Sequence, residues 1–156
     1  MNKTALSFAL AGISALPAIS QAREINLTTT LQEYRGNEAY LAIYVTDAQG
    51  AYQRTLWVAG KKAKYYRHLR DWAQGGGNRP AEFDGLTGAS VGSGETLEVA
   101  VELEDALIDA GYQIRIDTAV EDKRDNRGEI QVPLSSQATS VKGGGQGYID
   151  SFGYSF

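Results

Sequence analysis

Between Thr96 and Leu103, Leu97, Val99, Val101 and Leu103 fall on one side of the chain while Glu98 and Glu102 fall on the other. A period of two is what a half-buried strand requires, because successive side chains of an extended chain point to opposite faces. The same pattern runs from Tyr112 to Glu121, with Tyr112, Ile114, Ile116, Thr118 and Val120 expected inward and Gln113, Arg115, Asp117 and Glu121 outward. The acidic link from Glu104 to Gly111 makes this pair an expected antiparallel hairpin. "YLAIYV" (40–45) and "YQRTLWV" (52–58) flank "TDAQGA", where Asp47 and Gly50 supply turn chemistry for a second hairpin. Its first strand is apolar on both faces, as a central strand should be. Ile25, Leu27, Thr29 and Leu31 indicate an opening strand, and Ile130, Val132 and Leu134 a late one. The expected fold class is therefore mainly β, an antiparallel immunoglobulin-like β-sandwich with one amphipathic helix.

That helix is where the alternation stops. After Gly60, Lys61 to Gln74 are good helix formers, and Tyr65, Leu69 and Trp72 recur at i, i+4 and i+7, an apolar stripe suited to closing one side or end of the sandwich. Tyr66, Arg67, His68 and Arg70 lie off that stripe, and Gly75, Gly76 and Gly77 end the helix.

The first 22 residues read as a secretory signal: a basic start at Lys3, an apolar stretch from Ala5 to Ile19, and small residues at Ser20 and Ala22 before a cut at Arg23. The stretch is too short to span a bilayer, which takes about 20 apolar residues. The expected mature chain, residues 23–156, is one periplasmic domain with no transmembrane segment. It has no cysteine, which excludes a disulfide framework, thiolate metal ligands and a cysteine nucleophile. Without Lys3 it carries 14 basic and 19 acidic residues, a net charge of −5, which argues against general nucleic-acid binding. Within that acidic chain, residues 61–74 hold a local charge of +4 from Lys61, Lys62, Lys64, Arg67 and Arg70 against Asp71.

The order "EYRGNEAYLAIYVTDAQGAYQRTLWVAGKKAKYYRHLRDWAQ" resembles the bacterial family called domain of unknown function 2271, predicted periplasmic proteins. The resemblance rests on the apolar strand Tyr40 to Val45, the Asp47 to Gly50 turn, Arg54-Thr55-Leu56, and the Lys/Trp-rich segment Lys64 to Trp72. Asp84, Thr87, Gly88 and Ala89 in "FDGLTGAS" are similar to a further family segment. The match read from these motifs covers most of residues 25–121 and nothing beyond Asn126. It implies an extracytoplasmic β-sandwich and an association with PepSY-type membrane proteins of flavin or iron reduction systems. It implies no activity, substrate or catalytic residue.

Most chemical motifs in the chain have a simpler structural reading. His68 is the only histidine, so a zinc site would need carboxylates for its other ligands; Asp71 at i+3 reads as a surface ion-pair partner. "EDKRDNRGE" (121–129) has carboxylates beside a glycine, but its spacing fits no EF-hand and Lys123, Arg124 and Arg127 oppose a cation, so it reads as an exposed turn. Glu102, Glu104, Asp105 and Asp109 offer no marked acid–base pair, no nucleophile elbow surrounds Ser90 or Ser93, and "GGGQG" (143–147) lacks the lysine of a phosphate loop. No catalytic residue, cofactor or metal ligand is read from the sequence.

At the C-terminus Tyr148, Phe152, Tyr154 and Phe156 resemble the last strand of an outer-membrane barrel, but a barrel needs at least eight spanning strands; a final strand whose aromatic face packs on the sandwich or offers a partner surface is expected instead. The functional expectation is a non-enzymatic accessory or binding protein whose working surface is the basic helix. Lys61, Lys64, Arg67 and Arg70 would attract an anionic membrane partner, lipid head group or phosphate-bearing cofactor, with Tyr66 or His68 touching it. The alternatives are a periplasmic hydrolase or redox enzyme, which needs a pocket of converging polar groups, or a small outer-membrane β protein.

Overall fold

The computed structural model describes residues 20–156, so the expected signal peptide lies almost wholly outside the described residues. The strands are β1 (Ala22–Leu31), β2 (Ala39–Thr46), β3 (Tyr52–Ala59), β4 (Thr87–Gly88), β5 (Thr96–Glu104), β6 (Gln113–Val120), β7 (Asn126–Pro133), β8 (Thr139–Lys142) and β9 (Ile149–Ser155). They form a four-stranded sheet in the order β5-β1-β9-β8 and a five-stranded sheet in the order β4-β3-β2-β6-β7. In β1, Ile25, Leu27, Thr29 and Leu31 are buried while Glu24, Asn26 and Thr28 are exposed, the alternation the sequence implies. The core between the sheets takes Ile25, Leu27 and Leu103 from one and Leu41, Ile43, Leu56, Ile114 and Ile116 from the other. The result is a mainly β sandwich. Each sheet has two edges, so the strands do not close into one barrel.

Three sequence expectations are corrected. β5 and β6 are not a hairpin: β5 pairs with β1, from Ala22↔Glu104 to Thr30↔Thr96, whereas β6 lies between β2 and β7 in the opposite sheet. Alternation dictates which face of a strand is buried, not which neighbour it hydrogen-bonds. The link between them crosses the sandwich through a 3-10 turn at Asp105–Leu107, and Asp109 and Gly111 take positive φ there, 56° and 86°.

The expected single helix is two short ones, a 3-10 helix at Ala63–His68 and α1 (Arg70–Gln74), broken at Leu69 (φ −82°, ψ 79°). With three residues per turn, a 3-10 helix brings positions i and i+3 onto one side. With the chain tightened before Leu69 and turned at it, the buried set is Tyr66, Leu69 and Trp72, and Tyr65 is only partly buried.

This helical segment, with α2 (Pro80–Phe83), covers the outer face of the five-stranded sheet. Tyr66, Leu69 and Trp72 pack there on Ala42, Tyr44, Val58 and Ala119, with Phe83 against them. The sheet is thus buried on both faces, which explains why β2 is apolar throughout. It also overturns the outward placement of Asp117, which is fully buried beneath this layer.

At the C-terminus, β9 lies between β1 and β8 with Ile149, Phe152 and Tyr154 buried; Tyr148 is buried just before the strand, whereas the terminal Phe156 stays exposed, so the expected aromatic face packs only in part.

Candidate functional site

Asp117 organises the outer face of the sheet. Its Oδ1 accepts the Tyr44 hydroxyl at 3.1 Å and the Gly128 N–H at 2.7 Å, and its Oδ2 accepts the Trp72 N–H at 2.9 Å. The Gly128 N–H reaches it because β7 bulges: between the pairs Ile116↔Ile130 and Thr118↔Asn126, β6 advances two residues while β7 advances four. Gly128 sits in that bulge at φ 49°, in the left-handed region. One carboxylate thereby ties α1 and the β7 bulge to β6. Burial raises the Asp117 carboxyl above its ordinary value, opposed by the donors from Gly128, Trp72 and Tyr44.

Beside Asp117, Trp72 Nε1 donates to Thr55 Oγ1 at 2.9 Å, Thr55 and Tyr52 share a hydroxyl–hydroxyl bond at 2.8 Å, and Tyr52 donates to Glu82 at 2.8 Å. Burial is the main reason the Tyr52 phenol is pushed up to about 12.

Docking α1 and the β7 bulge on one carboxylate places Arg70, two residues before Trp72, near Arg127, one residue before Gly128. Arg127 bonds Asp71 at 3.2 Å, and Arg70 Nε donates to Asp125 Oδ2 at 2.9 Å. His68 Nδ1 lies 3.1 Å from the same Asp125 oxygen. Between these groups opens a cleft of about 730 Å³ lined by His68, Arg70, the turn from Lys123 to Arg127, Glu129, Gly144, Gln146 and Gly147. Lys123 and Arg124 have no ion-pair partner within 4 Å among the described residues.

The far wall is the loop between β8 and β9. Glu129 holds it by accepting the Ile149 N–H at 2.6 Å, and a Cβ at Gly147 would run into the Glu129 carboxylate. A Cβ at Gly144 would meet nothing within 4 Å. Neither packing nor a positive φ demands glycine at 144, and its absent side chain leaves the backbone open to the cleft.

The structure divides the residues expected to form one basic surface. His68 and Arg70 line the cleft. Arg67 is exposed outside it. Lys61 lines a separate recess with Asn37, Glu38 and Ser90, and Lys64 lies with Nζ 4.9 Å from the Tyr65 ring centroid. Tyr66 is buried and donates to the Gly60 carbonyl at 2.6 Å, turned away from any surface ligand. Sequence reasoning missed Lys123, Arg124, Arg127 and Gly144. The signal was present as cations interleaved in residues 121–129, but nothing local says that such a turn faces the helix or the glycine loop.

Guanidinium and ammonium groups around an open cleft suit an anion. Among the described residues no serine, threonine or cysteine lines it. Among the described residues no group of three or more histidine or carboxylate side chains converges to hold a metal, and no helix is long and apolar enough to cross a membrane. No curated protein and no solved structure matches the chain. The sequence profile of the family described as "Predicted periplasmic protein (DUF2271)" matches residues 22–151, reaching past the Asn126 limit read from the motifs, and this periplasmic chain belongs to that family.

Proposed function

We propose that this is a non-enzymatic periplasmic binding protein that captures an anionic group in the cleft between α1, the β6–β7 turn and the glycine loop. The observation that carries this reading is the concentration of Arg70, Lys123, Arg124 and Arg127 on one cleft of a chain whose net charge is −4. Arg70 and Arg127 are held in place by Asp125 and Asp71, while Lys123 and Arg124 remain available to a ligand. Charge of this kind speeds encounter with anions and weakens as salt rises.

Titration calorimetry with inorganic phosphate at low and high salt tests it. Binding should weaken at least tenfold in Lys123→Gln/Arg124→Gln and as salt rises; binding indifferent to both would refute the reading.

The finer form of this proposal, an accessory role beside a PepSY-type membrane reductase, is supported by the family resemblance alone. A PepSY-type gene adjoining this one and co-purification with envelope membranes would be its test.

One observation favours the enzyme alternative: His68 and Asp125 form a base-and-orienter pair on the cleft wall. Release of p-nitrophenol from p-nitrophenyl phosphate by the purified protein, abolished in His68→Gln, would favour catalysis over capture.

A further inference from the structure

A second, smaller space adjoins the basic cleft. It measures about 190 Å³, lies between Tyr40, Tyr65 and Val120, and shares His68, Lys123 and Asp125 with the cleft as a common wall. Its chemistry differs from that of its neighbour. Tyr40 and Tyr65 meet edge to face, with centroids 5.5 Å apart and planes at 66°, forming an aromatic corner over the buried Val120. Such a corner presents both a ring face and a ring edge, the two surfaces with which a third aromatic ring packs best. Lys64 covers one face of Tyr65, and the Tyr65 hydroxyl is fixed on Glu121 at 3.2 Å, so the corner is formed before a ligand arrives.

We infer that cleft and slot take one ligand, a single aromatic ring carrying a phosphate group, with the phosphate among Lys123, Arg124, Arg70 and Arg127 and the ring between Tyr40 and Tyr65. The inference rests on the reading of the cleft as an anion site and names the class of anion.

Three features carry it. First, size: a cavity of roughly 150 Å³ accepts a benzene ring, so a slot of about 190 Å³ has room for one six-membered ring. Second, polarity: Glu121 and Asp122 line the slot, and Lys123 stands only on the wall it shares with the cleft, so a negative group is favoured at the cleft end and not beside the rings. Third, charge: Lys123 and Arg124, the cleft cations without ion-pair partners among the described residues, match a phosphate dianion better than a monoanionic carboxylate. Gly144, open on the opposite wall, leaves the backbone free to approach the phosphate.

The test is titration calorimetry of the protein purified from a periplasmic extract with phenyl phosphate and with inorganic phosphate. Phenyl phosphate should bind at least tenfold more tightly. Tyr65→Ala should bring it down to the affinity of inorganic phosphate without changing the latter, and Tyr65→Phe should keep the preference. A melting curve on Tyr65→Ala checks its fold, and the comparison of the two anions on the unaltered protein stands without any variant. Equal affinity for the two anions, or a preference that survives Tyr65→Ala, overturns the inference while leaving the anion cleft standing. Failure of both anions to bind removes the cleft reading itself.

Discussion

The backbone N–H of Trp72 donates to the Asp117 carboxylate at 2.9 Å, and both residues are fully buried. That bond joins the helical layer to the sheet and sets where Arg70 stands. Replacing Asp117 by alanine strands the Trp72 and Gly128 N–H groups and the Tyr44 hydroxyl, and should cost about 3 kcal/mol or more. Asp117→Asn keeps the shape but turns an N–H₂ toward one of the donors, for an expected loss of about 1–3 kcal/mol. Urea unfolding monitored by tryptophan fluorescence measures both, and near-native stability of Asp117→Ala would contradict the anchoring role.

The raised Asp117 carboxyl gives the same residue a pH signature. Its native form holds a proton more tightly than its unfolded form, so its contribution to stability is fully present below the unfolded value of about 3.9 and is lost as pH rises through the higher native value. The stability advantage of the parent over Asp117→Asn should therefore shrink as pH rises across that window. Paired urea melts from pH 3.5 to pH 7 would show an advantage that grows instead if the hydrogen bonds outweigh burial.

Trp72 fills the layer between helix and sheet, so Trp72→Ala should cost about 3–5 kcal/mol. Thr55→Val, which leaves the indole N–H unpaired, should cost about 1–3 kcal/mol. The exposed Lys64 and Arg67 should tolerate alanine within about 0.5 kcal/mol. Thermal denaturation of the four variants gives this ranking, and a Trp72→Ala melt matching the parent would break it.

The two glycines of the cleft wall should behave differently. A methyl at Gly147 meets a Glu129 carboxylate already held by Thr118 Oγ1 and the Ile149 N–H, so Gly147→Ala should cost about 1–3 kcal/mol. Gly144→Ala, pointing into open space, should be neutral for stability and should weaken anion binding. Equal melting temperatures for the two variants would contradict this assignment of the loop.

β1 and β5 were legible because each buries one face, and a two-residue period records that directly; β2, buried on both faces, was legible as an unbroken apolar run. The pairing of β5 with β1 was not, because the partner lies some 70 residues away and hydrogen-bond neighbours leave no trace in alternation. Tyr66 was misplaced because helix formers from Lys61 to Gln74 do not reveal a 3-10 turn, whose tighter period moves burial by one residue. Asp117 looked like an outward residue of a half-buried strand; only the helical layer on the second face of the sheet buries it. The cleft was the least legible of all. His68 and Arg70 were singled out with Lys61, Lys64, Arg67 and Tyr66, but the partners that complete it sit in a turn and a glycine loop far along the chain.

The most direct measurement of where the protein binds compares two pairs of substitutions, Lys123→Gln/Arg124→Gln in the cleft and Lys61→Gln/Lys64→Gln on the exposed helix surface. Both remove the same charge from exposed positions, so both should keep the parent's melting temperature within a few degrees. Isothermal titration with inorganic phosphate at low salt should then show at least a tenfold loss of affinity for the cleft pair and almost none for the helix pair. Equal losses in the two would mean that net charge, rather than the cleft, attracts the anion, and a loss confined to the helix pair would move the site to Lys61 and Lys64.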